Sequence, residues 1–130
     1  ADRPWPTAKR HLTIHNDGLV SPWGPDEFVW LNPPYGQQTW KWLDKLAAHP
    51  RGGVALIFAR TETAGFVASV WGKADALLFL HGRLFFHHVN GTRASSNSGA
   101  PSVLVAYGAD AMVRLDQCGL PGSYVDGWIR

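Results

Sequence analysis

A single cysteine, Cys118, stands among the 130 residues, so no disulfide can form within the chain, and the usage fits a reducing cytoplasm. No apolar run approaches the roughly 18 residues that a membrane span needs. The opening Ala1-Asp2-Arg3-Pro4 lacks the apolar core of a secretory signal, so a soluble intracellular protein without a membrane partner is expected, and Asn90-Gly91-Thr92 is a chance glycosylation sequon. Charge is scarce as well: 17% of residues are Asp, Glu, Lys or Arg, and the net charge is +2. The basic residues are not clustered, so the balance permits a polyanionic partner without announcing one. His11 and His15 lie four apart and His87-His88 are adjacent, but neither spacing completes a metal site and no Cys pair exists, so no metal is expected. Gly-x-Ser-x-Gly and the P-loop lysine pattern are both missing, which argues against a serine-triad hydrolase and a nucleotide triphosphatase.

What the chain does have is 45% hydrophobic residues, seven Trp among them, in a length that makes one domain over residues 1–130. A chain of this size buries about two-thirds of its unfolded surface. There is no internal repeat and no sign of a domain boundary.

The most telling stretch is Phe28-Val29-Trp30-Leu31-Asn32-Pro33-Pro34-Tyr35-Gly36. Four apolar residues run into two prolines, which reads as a buried strand that must leave its sheet there. Neither proline has an N–H to donate and both have fixed φ, so the turn is stiff and its carbonyls can accept from outside. Asn32 adds a side-chain carbonyl, and Tyr35 a flat amphipathic face. Two neighbouring acceptors can hold both protons of a small amino group while the aromatic face stacks on the ring that carries it.

Around this stretch the chain alternates strands and helices. His11-Leu12-Thr13-Ile14-His15 alternates polar and apolar and meets Asn16-Asp17-Gly18, predicting a strand with Asp17 at its carboxyl end. From Gln38 to His49, Trp40, Leu43, Leu46 and Ala47 recur on one helical face before the stop at Pro50-Arg51-Gly52-Gly53. Val54 to Phe58 is a continuous apolar run, as in a central parallel strand, and should neighbour Phe28 to Leu31 in parallel through a right-handed crossover. A second helix over Thr63–Trp71, strands over Ala76–Phe79 and Ser102–Tyr107, a last helix over Ala109–Gln117 and an irregular tail from Gly119 complete the chain. Asn90 to Ala100 reads as a long polar loop of the functional or mobile kind. The expected class is α/β, a mostly parallel sheet with an antiparallel edge. Ligands in such sheets bind off the carboxyl ends of strands, where Asp17, Asn32 to Tyr35, Arg60 to Thr63 and Gly82-Arg83 would gather.

Asn32-Pro33-Pro34-Tyr35 resembles the Asp/Asn-Pro-Pro-aromatic motif of the amino S-adenosylmethionine-dependent methyltransferases. The order Gly18-Leu19 and Trp23, Asn32 to Gly36, Ala59-Arg60-Thr61-Glu62-Thr63, Gly82-Arg83-Leu84-Phe85-Phe86 and Ser102-Val103-Leu104-Val105 looks most like the small phage-type, Dam-like DNA N6-adenine methyltransferases. The likeness covers about residues 17–107. It implies a Rossmann-like three-layer sandwich, S-adenosylmethionine as cofactor, and double-stranded DNA with a flipped adenine as substrate, in a bacterial or phage-encoded cytoplasmic protein. It assigns catalysis to Asn32, Pro33, Pro34 and Tyr35, the cofactor to Asp17, Asn32 and Thr61, and DNA contact to Tyr35, Arg60, Thr63, Arg83 and Arg93. Asn-Pro-Pro-Tyr also serves methylation of cytosine N4, RNA adenine and glutamine side chains.

The departure from that family is at the front, where neither the Gly-rich cofactor turn nor the Asp-x-Asp-x-Ala-Ala-like segment of the phage-type proteins stands. Two readings stay open: truncation with Ala1-Asp2 as the remnant of that segment, or a true loss that leaves a nucleic-acid-binding or inactive relative.

Overall fold

The computed structural model describes residues 7–13, 16–88 and 90–130. Its elements are β1 (Val29–Leu31), α1 (Thr39–Ala48), β2 (Gly53–Phe58), α2 (Ala64–Phe66) continued by a π-helical turn (Val67–Trp71), β3 (Ala76–Leu80), β4 (Ser102–Tyr107), α3 (Ala109–Asp116) and β5 (Gly122–Asp126). The sheet order is β1-β2-β4-β3-β5.

Alternation along the strands divides the apolar residues between two layers. Leu31, Ala55, Ile57, Leu77, Val103 and Val105 pack with Leu43 and Leu46 of α1 and with Phe66 and Val70. On the other face Val54, Leu56, Ala76, Leu78, Leu104 and Ala106 meet Ala111 and Leu115 of α3. Helices therefore cover both faces, and a sheet buried on both sides needs the unbroken apolar runs of β2 and β4.

The α/β class holds, and β1 and β2 are parallel neighbours joined by α1 as expected, with Leu31 opposite Ala55. The expected mostly parallel sheet does not hold. β2 with β4, β3 with β4 and β3 with β5 are all antiparallel. The cause is the connection after β3: with no helix between them, β3 and β4 form a hairpin-like pair, and β4 occupies the slot beside β2. β3 still runs in the sense of β1 and β2 but has no parallel neighbour.

Two further expectations need correction. His11–Thr13 lies outside the sheet, Ile14 and His15 lie outside the described residues, and Asp17 sits in a tight turn at φ 45° instead of at a strand end. Its carbonyl accepts from Val20 and Ser21, which closes the chain on itself before any strand can form. The tail, read as irregular, contributes the edge strand β5, whose Gly-Ser-Tyr-Val-Asp carries no apolar alternation strong enough to mark it.

The join between β1 and β2 is close. A Cβ built on Gly53 would stand 2.1 Å from the Val29 carbonyl oxygen and 3.1 Å from Leu46 Cδ1. Gly53→Ala must push β1 off β2, and we expect at least about 2 kcal/mol of lost stability in urea unfolding. An unchanged midpoint would show that β1 is not held by this approach.

Candidate functional site

β1, β2 and β3 deliver their carboxyl ends to one rim of the sheet, and β4 starts there. Leu31 is buried, Asn32 is exposed, and Pro33 turns inward and is buried. The turn is pinned from behind by α1: Thr39 Oγ1 donates to the Pro34 carbonyl at 2.8 Å and the Thr39 N–H to the Gly36 carbonyl at 3.2 Å. Gly36 makes the return at φ 134°, open to glycine and strained for other residues. Of the acceptors expected to face outward, the Pro34 carbonyl is thus spoken for. The Pro33 carbonyl and the Asn32 side chain have no hydrogen bond among the described residues.

Tyr35 stacks on Phe58, the last residue of β2, with ring centroids 4.2 Å apart and planes 20° from parallel. Phe86 meets Tyr35 edge-on at 6.5 Å. The Tyr35 ring is still 42% exposed, so one side remains open to a ligand. Burial pushes its phenol above the ordinary tyrosine range, and the hydroxyl stays protonated near neutrality.

Arg60, Thr61 and Thr63 leave β2 beside this turn, and the Arg60 guanidinium lies 5.7 Å from the Phe58 ring centroid. Thr63 caps α2: its Oγ1 accepts from the Phe66 N–H at 3.4 Å and donates to the Arg60 carbonyl at 2.8 Å. The Thr61 carbonyl accepts from Trp71 Nε1 at 3.1 Å. Arg83 follows β3 and is exposed.

Arg93 belongs to a second hairpin. The segment between β3 and β4, expected as an open loop, folds back so that Ala94 donates to Phe86 at 2.8 Å, Ser98 to Leu84 at 2.7 Å and His88 to Thr92 at 2.8 Å. The Arg93 guanidinium lies 3.9 Å over the Phe85 ring. Asn32 to Tyr35, Arg60 to Thr63, Arg83 and the base of this hairpin thus share one rim. Asp17 does not join them. It stands near Lys45 in the last turn of α1, whose ammonium donates to the Gly18, Leu19 and Ser21 carbonyls at 2.7, 3.0 and 2.6 Å. Thr39, at the other end of α1, is the part of that helix next to the Pro-Pro turn.

Reasoning from sequence missed Phe58, Thr39 and Phe86. Phe58 was read as the end of a core run, though an aromatic at a strand's carboxyl end is a usable signal. Thr39 carried none, since its role depends on a turn five residues upstream.

An α/β sheet whose first strand leaves through an acceptor pair and an exposed aromatic ring defines a site for a planar amine. The sequence profile of the family described as DNA N-6-adenine-methyltransferase (Dam) matches residues 1–112, and the chain belongs to that family. Searches among curated proteins and among solved structures found no match. Among the described residues no helix is long and apolar enough to cross a membrane, and no group of three or more His, Cys, Asp and Glu could hold a metal.

The family implies S-adenosylmethionine, a cofactor with a sulfonium, an ammonium and a ribose diol that call for acceptors. In the three rim segments, residues 32–38, 59–63 and 81–101, Glu62 is the sole acid. Asp17 is held elsewhere. These residues fit the amine acceptor and do not by themselves make up a cofactor site.

Because the Thr39 hydroxyl is buried, Thr39→Val leaves the Pro34 carbonyl unpaired and should lower stability by about 1–2 kcal/mol in thermal unfolding. Thr39→Ser keeps the donor and should recover most of that. Equal losses in both variants would mean that the hydrogen bond is not what fixes the turn.

Proposed function

We propose that the chain presents the exocyclic amine of adenine in DNA for methylation at N6, the methyl group coming from S-adenosylmethionine. The observation that carries this reading is the pair of unengaged acceptors, the Asn32 side chain and the Pro33 carbonyl, beside the open face of Tyr35. The amine's lone pair is drawn into the ring. Accepting both N–H bonds returns it to nitrogen, and acceptors fixed in advance favour that state without reorganisation. Asn32 is not a base strong enough to take the proton, which leaves to water. The family's Rossmann-like three-layer sandwich goes with this reading, as does a bacterial or phage-encoded cytoplasmic setting.

An adenine inside a duplex cannot reach such a rim, so it must be flipped out, and Tyr35 then stacks on it. Arg60, Arg83 and Arg93 lie on the rim against Glu62 alone, a positive surface suited to phosphates. Thr61 and Thr63, with their backbone carbonyl and hydroxyl engaged, act as supports of that surface.

The incomplete cofactor donor set favours a second reading, in which the same rim binds nucleic acid without transferring a methyl group. Radiolabelled methyl transfer to adenine-containing DNA, run beside calorimetric titration with S-adenosylmethionine, separates the two. Cofactor binding with transfer supports the first; DNA binding with neither supports the second.

Within the first reading, Asn32→Ala should lower turnover at least about 100-fold while DNA affinity stays near wild type. Tyr35→Ala should weaken DNA binding by about 1–3 kcal/mol and slow transfer, while Tyr35→Phe keeps most of both. Wild-type turnover in Asn32→Ala would remove the assignment. For the phosphate contacts, Arg83→Ala and Arg93→Ala should each reduce the slope of log affinity against log salt by about 1. A slope unchanged in both would take the DNA backbone off the hairpin.

A further inference from the structure

Ser102 opens β4, is 1% exposed, and its Oγ has no hydrogen-bond partner among the described residues. A buried hydroxyl left unpaired is destabilising, so its presence asks for a use. Its position supplies one. Ser102 faces Phe58 across the β2–β4 pairing, and the Ala59 N–H donates to the Pro101 carbonyl at 2.9 Å just beyond them. Phe58 and Ser102 therefore form a non-hydrogen-bonded pair, the kind whose facing side chains come closest. The hydroxyl lies beside the ring on which Tyr35 stacks. Leu84 and Phe86 of the hairpin pack on the same face.

The registers also fix how far it is from the amine acceptors. Leu31 opposite Ala55, and Leu56 opposite Leu104, put Asn32 and Ser102 two strands apart and one two-residue step along. Standard spacings make that about 12 Å between Cα atoms. Once both side chains reach inward, a fused ring system with a hydrogen bond at each end bridges the gap, and a single six-membered ring falls short.

The geometry points to Ser102 as the residue that reads the substrate ring: its hydroxyl donates to a ring nitrogen of the aminopurine whose amine Asn32 and Pro33 hold. This rests on the adenine reading above and deepens it, giving the rim a reason to prefer adenine over cytosine. In the ligand-free protein the Tyr35–Phe58 stack seals the hydroxyl, since centroids 4.2 Å apart admit no ring between them. The base enters by parting that stack, so the contact that it loses is repaid by stacking on the base and by a partner for Ser102.

Ser102→Ala tests this by two measurements. Removing an unpaired buried hydroxyl leaves the melting temperature unchanged or raises it; a fall of several degrees would show that the hydroxyl serves the fold and would overturn the proposal. Duplexes carrying adenine, 1-deazaadenine, 3-deazaadenine or 7-deazaadenine at the target are then compared with both proteins, by anisotropy for affinity and by labelled methyl transfer for kcat/KM. We expect the variant to lose about tenfold on adenine, the wild type to lose as much on one deaza analogue, and the variant to lose nothing further on that analogue. Losses that multiply, or a variant equal to wild type on every duplex, would end the proposal. If the wild type methylates none of them, the transfer reading fails by itself. The affinity cycle then decides: coupled losses keep Ser102 as a base-reading group, and uncoupled ones remove it.

Discussion

The site depends on how a three-residue strand at the sheet's edge is held. β1 pairs with β2 alone, and two or three ladder bonds cannot fix a strand end well enough to aim a side chain. What fixes it is contact from both directions. Gly53 lets the Val29 carbonyl come within a distance that any side chain would forbid, and Leu31, 5% exposed, anchors the far end in the core. Burying a leucine is worth about 1.5–3 kcal/mol. Beyond the strand, Pro33 is buried and Thr39 ties Pro34 to α1. Asn32 is exposed, yet the residues on both sides of it are not free to move, which is the condition for acceptors that act by preorganisation.

The placement of β4 decides what surrounds that turn. Had β3 followed β2 directly, as in an all-parallel sheet, the end of β2 would face another carboxyl end and another turn. With β4 interposed, Phe58 faces the first residue of an incoming strand, and the Leu84–Ser98 hairpin comes down on the same rim. The aromatic trio Tyr35, Phe58 and Phe86 is drawn from three separate connections and exists only because of this order.

Local chemistry was legible in the sequence, and long-range pairing was not. Asn-Pro-Pro-Tyr announces a strand exit because the prolines dictate it whatever the surroundings, and Val54 to Phe58 announces a buried strand because nothing else tolerates so many apolar residues in a row. The ends of α1 fell within a residue of Gln38–His49 for a similar reason, periodicity on one side and Pro50 on the other. Strand order carries no such mark. Ser102 and Phe58 look like ordinary strand residues until β4 pairs with β2, and Gly122–Asp126 becomes a strand only because β3 offers it an edge. Asp17 misled because a turn after an alternating run resembles a strand end, whereas Lys45, drawing three carbonyls of that turn onto α1, is what holds it in place.

A net charge of +2 conceals how unevenly the charges lie. Several acids are neutralised by partners away from the rim. The Arg10 guanidinium bonded to Glu27 holds that carboxyl below its usual range, and Arg51, then Arg114, do the same for Asp110 at the start of α3. The rim keeps Arg60, Arg83 and Arg93 with Glu62 as their single counterweight. Such a surface draws in the phosphates of DNA and disfavours a cofactor carrying a sulfonium and an ammonium. A methyltransferase must satisfy both, and it can do so only by separating the two demands in space. The residues described here gather the acceptors for the amine and the cations for the backbone on one rim, which leaves the cations of the cofactor to be met by acceptors lying outside it.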